Sequence, residues 1–177
     1  ENIENLPPGY YQLESAGKDE AWIKVYVRGD YGFVTDGKPV YPEFRDNMHV
    51  RAVSFDPRLG LWIGIDFGLT PAALFGQRAM LGRWHWIDEL VTQDMGAKRF
   101  GQLLRNKLDR EYPKATITGI FGDPAGDDRA QTDEITPFQI LRGEGVTALP
   151  APSNDPVLRR EAVALPLSRL IDGVTGL

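Results

Sequence analysis

Hydrophobic and polar positions divide the chain from residue 61 onward into a regular series of elements. Leu61–Asp66 is almost continuously apolar, which is typical of a central strand that is buried on both faces. Residues 71–80 and 83–91 follow as two further strands, separated by a short turn. Because short turns join antiparallel neighbours, these three segments predict a meander of three strands.

The chain then switches to a helical spacing and back to a strand. Residues 97–111 carry an apolar stripe, and Pro113 ends the predicted helix. The stripe consists of Phe100, Leu103, Leu104 and Leu108. Residues 116–122 are rich in β-branched side chains, which predicts a fourth strand. Since a crossover helix precedes this strand, we expect it to lie parallel to the first strand.

Two more helices and a short strand complete the pattern. Thr136 and Gln139 form a capping box that opens the second helix, and residues 146–149 predict a fifth strand. Asp155 opens a third helix, for which we expect Gly173 as the C-cap. Three antiparallel strands followed by parallel strands with flanking helices are the ribonuclease H-like arrangement, a mixed α/β fold.

The first part of the chain has a different pattern from the rest. We expect residues 1–32 to be a linker and residues 33–177 to form the main domain. Within these, the sequence predicts a short helix over residues 19–28 and a hairpin over residues 33–41.

Two carboxylates lie at the ends of strands that this topology makes neighbours. Asp66 ends the first strand and Asp123 follows the fourth, so the two would emerge about 5 Å apart. Two like charges at that separation favour a cation between them. Mg²⁺ and Mn²⁺ prefer oxygen ligands and keep waters for a substrate phosphate. The alternative is that each Asp only caps the loop after its strand.

Further charged residues surround these two positions in the sequence. Asp127 and Asp128 follow Asp123 closely enough to be auxiliary metal ligands, although a solvated acidic loop would look the same. The basic residues that could contact DNA are Lys98, Arg99, Arg129, Arg159 and Arg160. Solvated surface is the simpler explanation for basic side chains on helix faces, and both explanations stay open.

Composition and charge restrict the classes of function. Lys and Arg number 20 against 25 Asp and Glu, a net charge of −5, which argues against a protein held on nucleic acid by charge alone. The absence of Cys excludes a disulfide framework and Cys-ligated zinc. The longest apolar run is too short to cross a membrane, and a secretory signal pattern is lacking. The sequence contains neither a Gly-x-Ser-x-Gly elbow nor a phosphate loop, so a serine hydrolase and a complete P-loop motor are unsupported.

The two Asp segments, GIDFG at residues 64–68 and GDPAG at residues 122–126, resemble the nuclease domain of the large terminase subunits of tailed bacteriophages. The resemblance extends over essentially the whole chain. It implies a ribonuclease H-like endonuclease that cuts concatemeric double-stranded DNA with two Mg²⁺ or Mn²⁺ ions. By this resemblance Asp66 would bridge both ions and Asp123 would hold one.

The same resemblance implies partners and a location. The partners would be double-stranded DNA, the portal protein, the small terminase subunit and an N-terminal ATPase domain, to which residues 1–32 would be the linker. The protein would act in the host-cell cytoplasm rather than in the virion. The third acid of such sites follows a hairpin after the third helix, so we expect it beyond Leu177 and expect the nuclease domain to be C-terminally incomplete.

Three alternatives stay open from the sequence. A Holliday-junction resolvase shares the expected fold and differs in its DNA substrate. The segment at residues 65–70 is also similar to the phosphate-contacting turn of actin-like ATPases, which would make the chain a fragment of a larger two-domain enzyme. A non-catalytic module that docks on portal or DNA is the third possibility, against which the presence of both Asp66 and Asp123 argues.

Overall fold

The apolar segment Leu61–Asp66 becomes the central strand of a five-stranded sheet. In the computed structural model the described residues are 10–15, 23–28, 39–124, 135–171 and 173–177. The strands of the sheet are β1 (Leu61–Asp66), β2 (Ala72–Arg78), β3 (Trp84–Val91), β4 (Ile117–Gly122) and β5 (Leu149–Pro150).

The order of the strands is β3-β2-β1-β4-β5. The pairs β1–β2 and β2–β3 are antiparallel, while β1–β4 and β4–β5 are parallel. This is the predicted ribonuclease H-like arrangement, and the predicted pairing of the fourth strand with the first is confirmed.

Five α-helices lie along the described residues: α1 (Tyr10–Ser15), α2 (Asp46–His49), α3 (Ala97–Glu111), α4 (Pro137–Gly143) and α5 (Pro156–Ser168). The capping box of α4 is present, since the Thr136 side chain accepts from the Gln139 N–H while the Gln139 side chain accepts from the Thr136 N–H. This exchange satisfies two N–H groups that the first helical turn would otherwise leave unpaired.

The hydrophobic core lies on the face of the sheet that packs against α3 and α4. Ile63, Phe75 and Phe100 are at most 1% exposed, and burying such side chains contributes about 1.5–3 kcal/mol each. The predicted stripe of α3 is wrong at Leu103, which is 37% exposed. At 100° per residue, Leu103 lies well around the helix from the line formed by the other three members of the stripe.

A β-bulge in β3 alters which of its side chains share a face. Phe75 pairs with Asp88 while the next residue of β2, Gly76, pairs with Trp86, so Ile87 has no opposite partner. Regular alternation along β3 would place Asp88 on the face of Trp84 and Trp86, but the bulge interrupts that alternation. The extra residue turns Asp88 over onto the face that packs against α3.

The C-terminal segment ends in a hairpin rather than in a continued helix. Helix α5 stops at Ser168, and β6 (Leu170–Ile171) pairs with β7 (Val174–Thr175). The predicted helix end at Gly173 is therefore wrong, because Gly173 has a φ of 76° within the turn of this hairpin. The hairpin packs beside the start of β3. The Trp84 N–H donates to the Gly176 carbonyl, and the guanidinium of Arg83, the residue before β3, donates to the Ile171 and Thr175 carbonyls. The predicted fifth strand also shifts, from residues 146–149 to Leu149–Pro150.

The chain divides into two compact units, residues 1–42 and residues 43–177. The first contains α1 and a π-helical turn at Ile23–Val27; the predicted helix start at residue 19 lies outside the described residues. The predicted domain boundary after residue 32 and most of the predicted hairpin over residues 33–41 also lie outside them. Residues 40 and 41 are described and lie in neither strand nor helix. A turn begins directly after them at Pro42, which has no N–H to donate to a neighbouring strand. Within the described residues, we find no helix of the length and apolarity that crossing a membrane requires.

Candidate metal centre

Asp66 and Asp123 leave neighbouring parallel strands side by side. Ile65 of β1 pairs with Gly122 of β4, and the Asp123 N–H donates to the Ile65 carbonyl at 3.2 Å. Each Asp is the next residue along its strand, and adjacent strands lie about 4.8 Å apart. This register agrees with the sequence prediction that the two positions lie at the same end of neighbouring strands.

Both carboxylates line one open cleft on the face of the sheet opposite to the core. Residues two or four positions apart along a strand share a face of the sheet, so Asp66 lies on the face of Trp62 and Asp123 on the face of Phe121. The rings of Trp62 and Phe121 stack on that face. The cleft has a volume of about 460 Å³. Its charged lining residues are Asp66, Glu89, Asp123 and Arg159. Substrate could therefore reach the carboxylates without any rearrangement of the core.

Gly122 lets β4 approach the aromatic side chains beneath the site. A Cβ on Gly122 would lie 2.5 Å from the Phe67 ring and 3.0 Å from the Phe138 ring, too close for any other residue unless the rings move. These two rings meet edge to face with centroids 5.1 Å apart. Phe67 follows β1 and Phe138 belongs to α4, so this contact fixes the strand end that carries Asp123 against both elements.

Within the described part of the chain, Arg159 is a basic residue that the fold brings close to Asp123. Its Nη1 lies 3.5 Å from Asp123 Oδ2 and donates to Asn154 Oδ1 at 2.6 Å. The start of α5 is fixed by Asp155, whose carboxylate accepts from the N–H groups of Val157 and Leu158. The helix cap thus places Arg159, one turn into the helix, over the cleft.

The remaining predicted site residues are more dispersed. Lys98 and Arg99 are exposed in the first turn of α3, next to Ala97. Ala97 lines a second cleft of about 620 Å³ that Asp123 also lines. Arg160 is exposed on α5. Asp127, Asp128 and Arg129 lie outside the described residues, so their predicted roles stay predictions.

The donor set of the described residues suits one divalent ion better than two. Asp66 and Asp123 offer oxygen ligands of total charge −2, which matches one Mg²⁺ or Mn²⁺ that keeps several waters. Among the residues that the structure describes, no group of three or more His, Asp or Glu side chains could together hold a metal. A pair of ions brings a charge of +4, so a second ion requires further anionic ligands.

Glu89, which lines the cleft, and Asn154, which accepts a hydrogen bond from Arg159, were not identified from the sequence. Glu89 lies on the cleft because the bulge at Ile87 moves it to the face of Trp86, a change that regular alternation along β3 does not reveal. Asn154 is placed by the loop before α5, and its position directly before the Asp155 cap is the signal that could have found it.

No protein-family model matches the chain, and no curated protein sequence matches it either. Solved structures of the large terminase from a thermophilic bacteriophage are similar to it in fold. One crystal form aligns with a TM-score of 0.59 at 15% identity and covers 93% of this chain and 40% of that chain; a second form gives 0.55 at 18% identity, with 93% and 39% covered. The same terminase in complex with ADP gives a TM-score of 0.59 at 15% identity, with 93% and 40% covered. The chain thus spans about 40% of the terminase that it resembles.

Proposed function

We propose that this chain is the metal-dependent endonuclease domain of a viral genome-packaging terminase, which cuts concatemeric double-stranded DNA. The observation that carries the proposal is the placement of Asp66 and Asp123 at neighbouring parallel strand ends above one open cleft. The likeness in fold to a phage large terminase supports the same function.

The residues of the site have separate roles in this proposal. Asp66 and Asp123 would hold the Mg²⁺ or Mn²⁺ ions, with Asp66 shared between two ions and Asp123 a ligand of one. The bound ions would supply an activated water and neutralise the charge that builds on the scissile phosphate. A third acidic ligand, expected beyond Leu177, would complete a set for two ions, because two carboxylates alone leave half of the charge of +4 uncompensated.

The net charge of −5 is compatible with a DNA-cleaving enzyme whose affinity for DNA is supplied by partner proteins and domains. We propose that an N-terminal ATPase domain, the small terminase subunit and the portal protein hold the DNA near the cleft in the host-cell cytoplasm. Lys98, Arg99, Arg129, Arg159 and Arg160 are the basic residues that would contact it. Each such contact would release counterions and weaken with salt.

The test is cleavage of linear and supercoiled DNA in Mn²⁺, with Mn²⁺ titration by calorimetry on the same samples. Asp66→Asn is nearly isosteric, and we expect it to reduce cleavage by about 1,000-fold or more, since a metal ion supplies several kcal/mol of transition-state stabilisation. Asp109→Asn is the charge-matched control, because Asp109 lies on α3 in an exposed pair with Arg105. We expect its cleavage and Mn²⁺ binding to equal those of the wild type.

Wild-type rates from Asp66→Asn would reject the assignment of this carboxylate. Preference for a four-way junction over linear duplex would favour the resolvase alternative. ATP turnover that disappears when Thr70 is changed would favour the actin-like alternative instead.

A further inference from the structure

The pair between Arg159 and Asp123 is long for an ion pair, and its cation lies beside a carboxylate that is a candidate metal ligand. A guanidinium and a carboxylate in a charge-assisted hydrogen bond are usually about 2.7–2.9 Å apart, whereas Nη1 of Arg159 and Oδ2 of Asp123 are 3.5 Å apart. The same Nη1 donates to Asn154 at 2.6 Å. The asymmetry indicates that Asn154 positions the Arg159 side chain and that Asp123 attracts it weakly.

Arg159 also has donors available for a second partner. A guanidinium carries five N–H donors in a planar fork. Among the hydrogen bonds between described residues, those of the Arg159 side chain use Nη1 alone. Its side chain is 58% exposed, whereas that of Asp123 is 19% exposed. The remaining donors can therefore reach a phosphate in the cleft without any change in α5.

A divalent ion on Asp123 and a guanidinium at the same carboxylate oxygen compete for one negative charge. The ion is also repelled by the guanidinium, because both are cations within a few ångströms of each other. A phosphodiester beside the ion carries the same single negative charge as the carboxylate and offers Arg159 two oxygens for a bidentate pair.

We propose that Arg159 substitutes for the metal ion at Asp123 in the metal-free chain and is released to bind the scissile phosphate when a divalent ion enters. This inference rests on the proposed function, since it assumes that Asp123 is a metal ligand. It makes Arg159 a phosphate-positioning residue whose contribution to DNA binding depends on the metal. The sequence suggests only a general DNA contact for this residue.

The first measurement is Mn²⁺ titration by calorimetry without DNA. We expect Arg159→Ala to bind Mn²⁺ about two- to fivefold more tightly than the wild type, which is the range of an exposed ion pair. Arg160→Ala is the matched control, because it removes the same charge from the next residue of α5, which is also exposed. We expect it to leave the Mn²⁺ affinity unchanged.

The second measurement is binding of a short DNA duplex by fluorescence anisotropy, in EDTA and again in Ca²⁺. We expect Arg159→Ala to weaken binding about tenfold in Ca²⁺, as for loss of a hydrogen-bonded charge, and much less in EDTA. Arg160→Ala should change the affinity equally in both conditions. Arg159→Lys should restore Mn²⁺ affinity to the wild-type value but recover only part of the DNA affinity, since Lys keeps the charge and loses the fork.

The outcomes separate the inference from the function on which it rests. Equal Mn²⁺ affinities for Arg159→Ala and Arg160→Ala, or equal losses of DNA affinity in EDTA and in Ca²⁺, would overturn the role of Arg159 while the nuclease assignment stands. A wild-type chain whose Mn²⁺ binding is insensitive to Asp66→Asn and Asp123→Asn would overturn both.

Discussion

The carboxylates on the two faces of the sheet differ in how closely their cationic partners hold them. On the core face, Asp88 receives Lys107 Nζ at 2.6 Å and the Tyr112 hydroxyl at 2.7 Å. On the open face, the ion pair of Asp123 with Arg159 measures 3.5 Å. A carboxylate held by short bonds from largely buried partners has a structural role, whereas the exposed guanidinium 3.5 Å from Asp123 can be replaced by another cation.

The partners of Asp88 are held by the aromatic core. The Tyr112 ring stacks on Phe75 with centroids 5.4 Å apart, and Lys107 Nζ lies 5.6 Å from the centre of the Phe75 ring. Burial by itself would raise the pKa of Asp88, but the hydrogen bonds from Lys107 and Tyr112 outweigh it and hold that pKa below its ordinary value. Burial raises the pKa of Tyr112, and its bond to Asp88 raises it further.

Removing the charge of Asp88 should give the largest loss of stability. We expect Asp88→Asn to lower the free energy of unfolding by about 2–3 kcal/mol, because hydrogen bonds to a charged group are lost. Among the described residues, Lys107 then keeps one carboxylate partner, the more exposed Glu111. Urea unfolding measures the change. Mn²⁺ affinity should equal that of the wild type, and a loss of both properties together would contradict the separation of the two faces.

A change at Tyr112 should have a smaller effect that depends on pH. Because the pKa of the folded phenol is raised, its contribution to stability is complete below the unfolded pKa, near 10, and is lost as pH rises above that value. We expect Tyr112→Phe to lower the free energy of unfolding by about 1–2 kcal/mol at pH 8 and to reduce the decline between about pH 9.5 and 11. Thermal unfolding across this range checks the expectation, and parallel declines for both proteins would contradict it.

The smallest expected effect is a gain. In EDTA, Asp66→Asn should raise the free energy of unfolding by about 0.5 kcal/mol, since it removes one of two like charges at neighbouring strand ends. The gain should shrink in 1 M NaCl, where the Debye length is about 3 Å. Urea unfolding at low and high salt measures it, and destabilisation by Asp66→Asn at low salt would show that Asp66 has a structural role like that of Asp88.

Much of the fold follows from local patterns in the sequence. The apolar run of β1, the stripe of α3 and the capping box at Thr136 each predict their element, because burial on one or both faces and pairing of terminal N–H groups are local requirements. The positions of Asp66 and Asp123 at neighbouring strand ends follow from the order of these elements, since a crossover helix makes β4 parallel to β1.

The sequence by itself therefore determined the order of the strands and the placement of Asp66 and Asp123 at neighbouring strand ends. Only the tertiary structure decided which further residues join them. The bulge at Ile87 turns Asp88 to the core and Glu89 to the cleft, and Arg83 holds the hairpin that follows the end of α5. These outcomes depend on contacts between residues distant in the chain, such as Asp88 with Tyr112 and Arg159 with Asp123, and local spacing carries no information about such contacts.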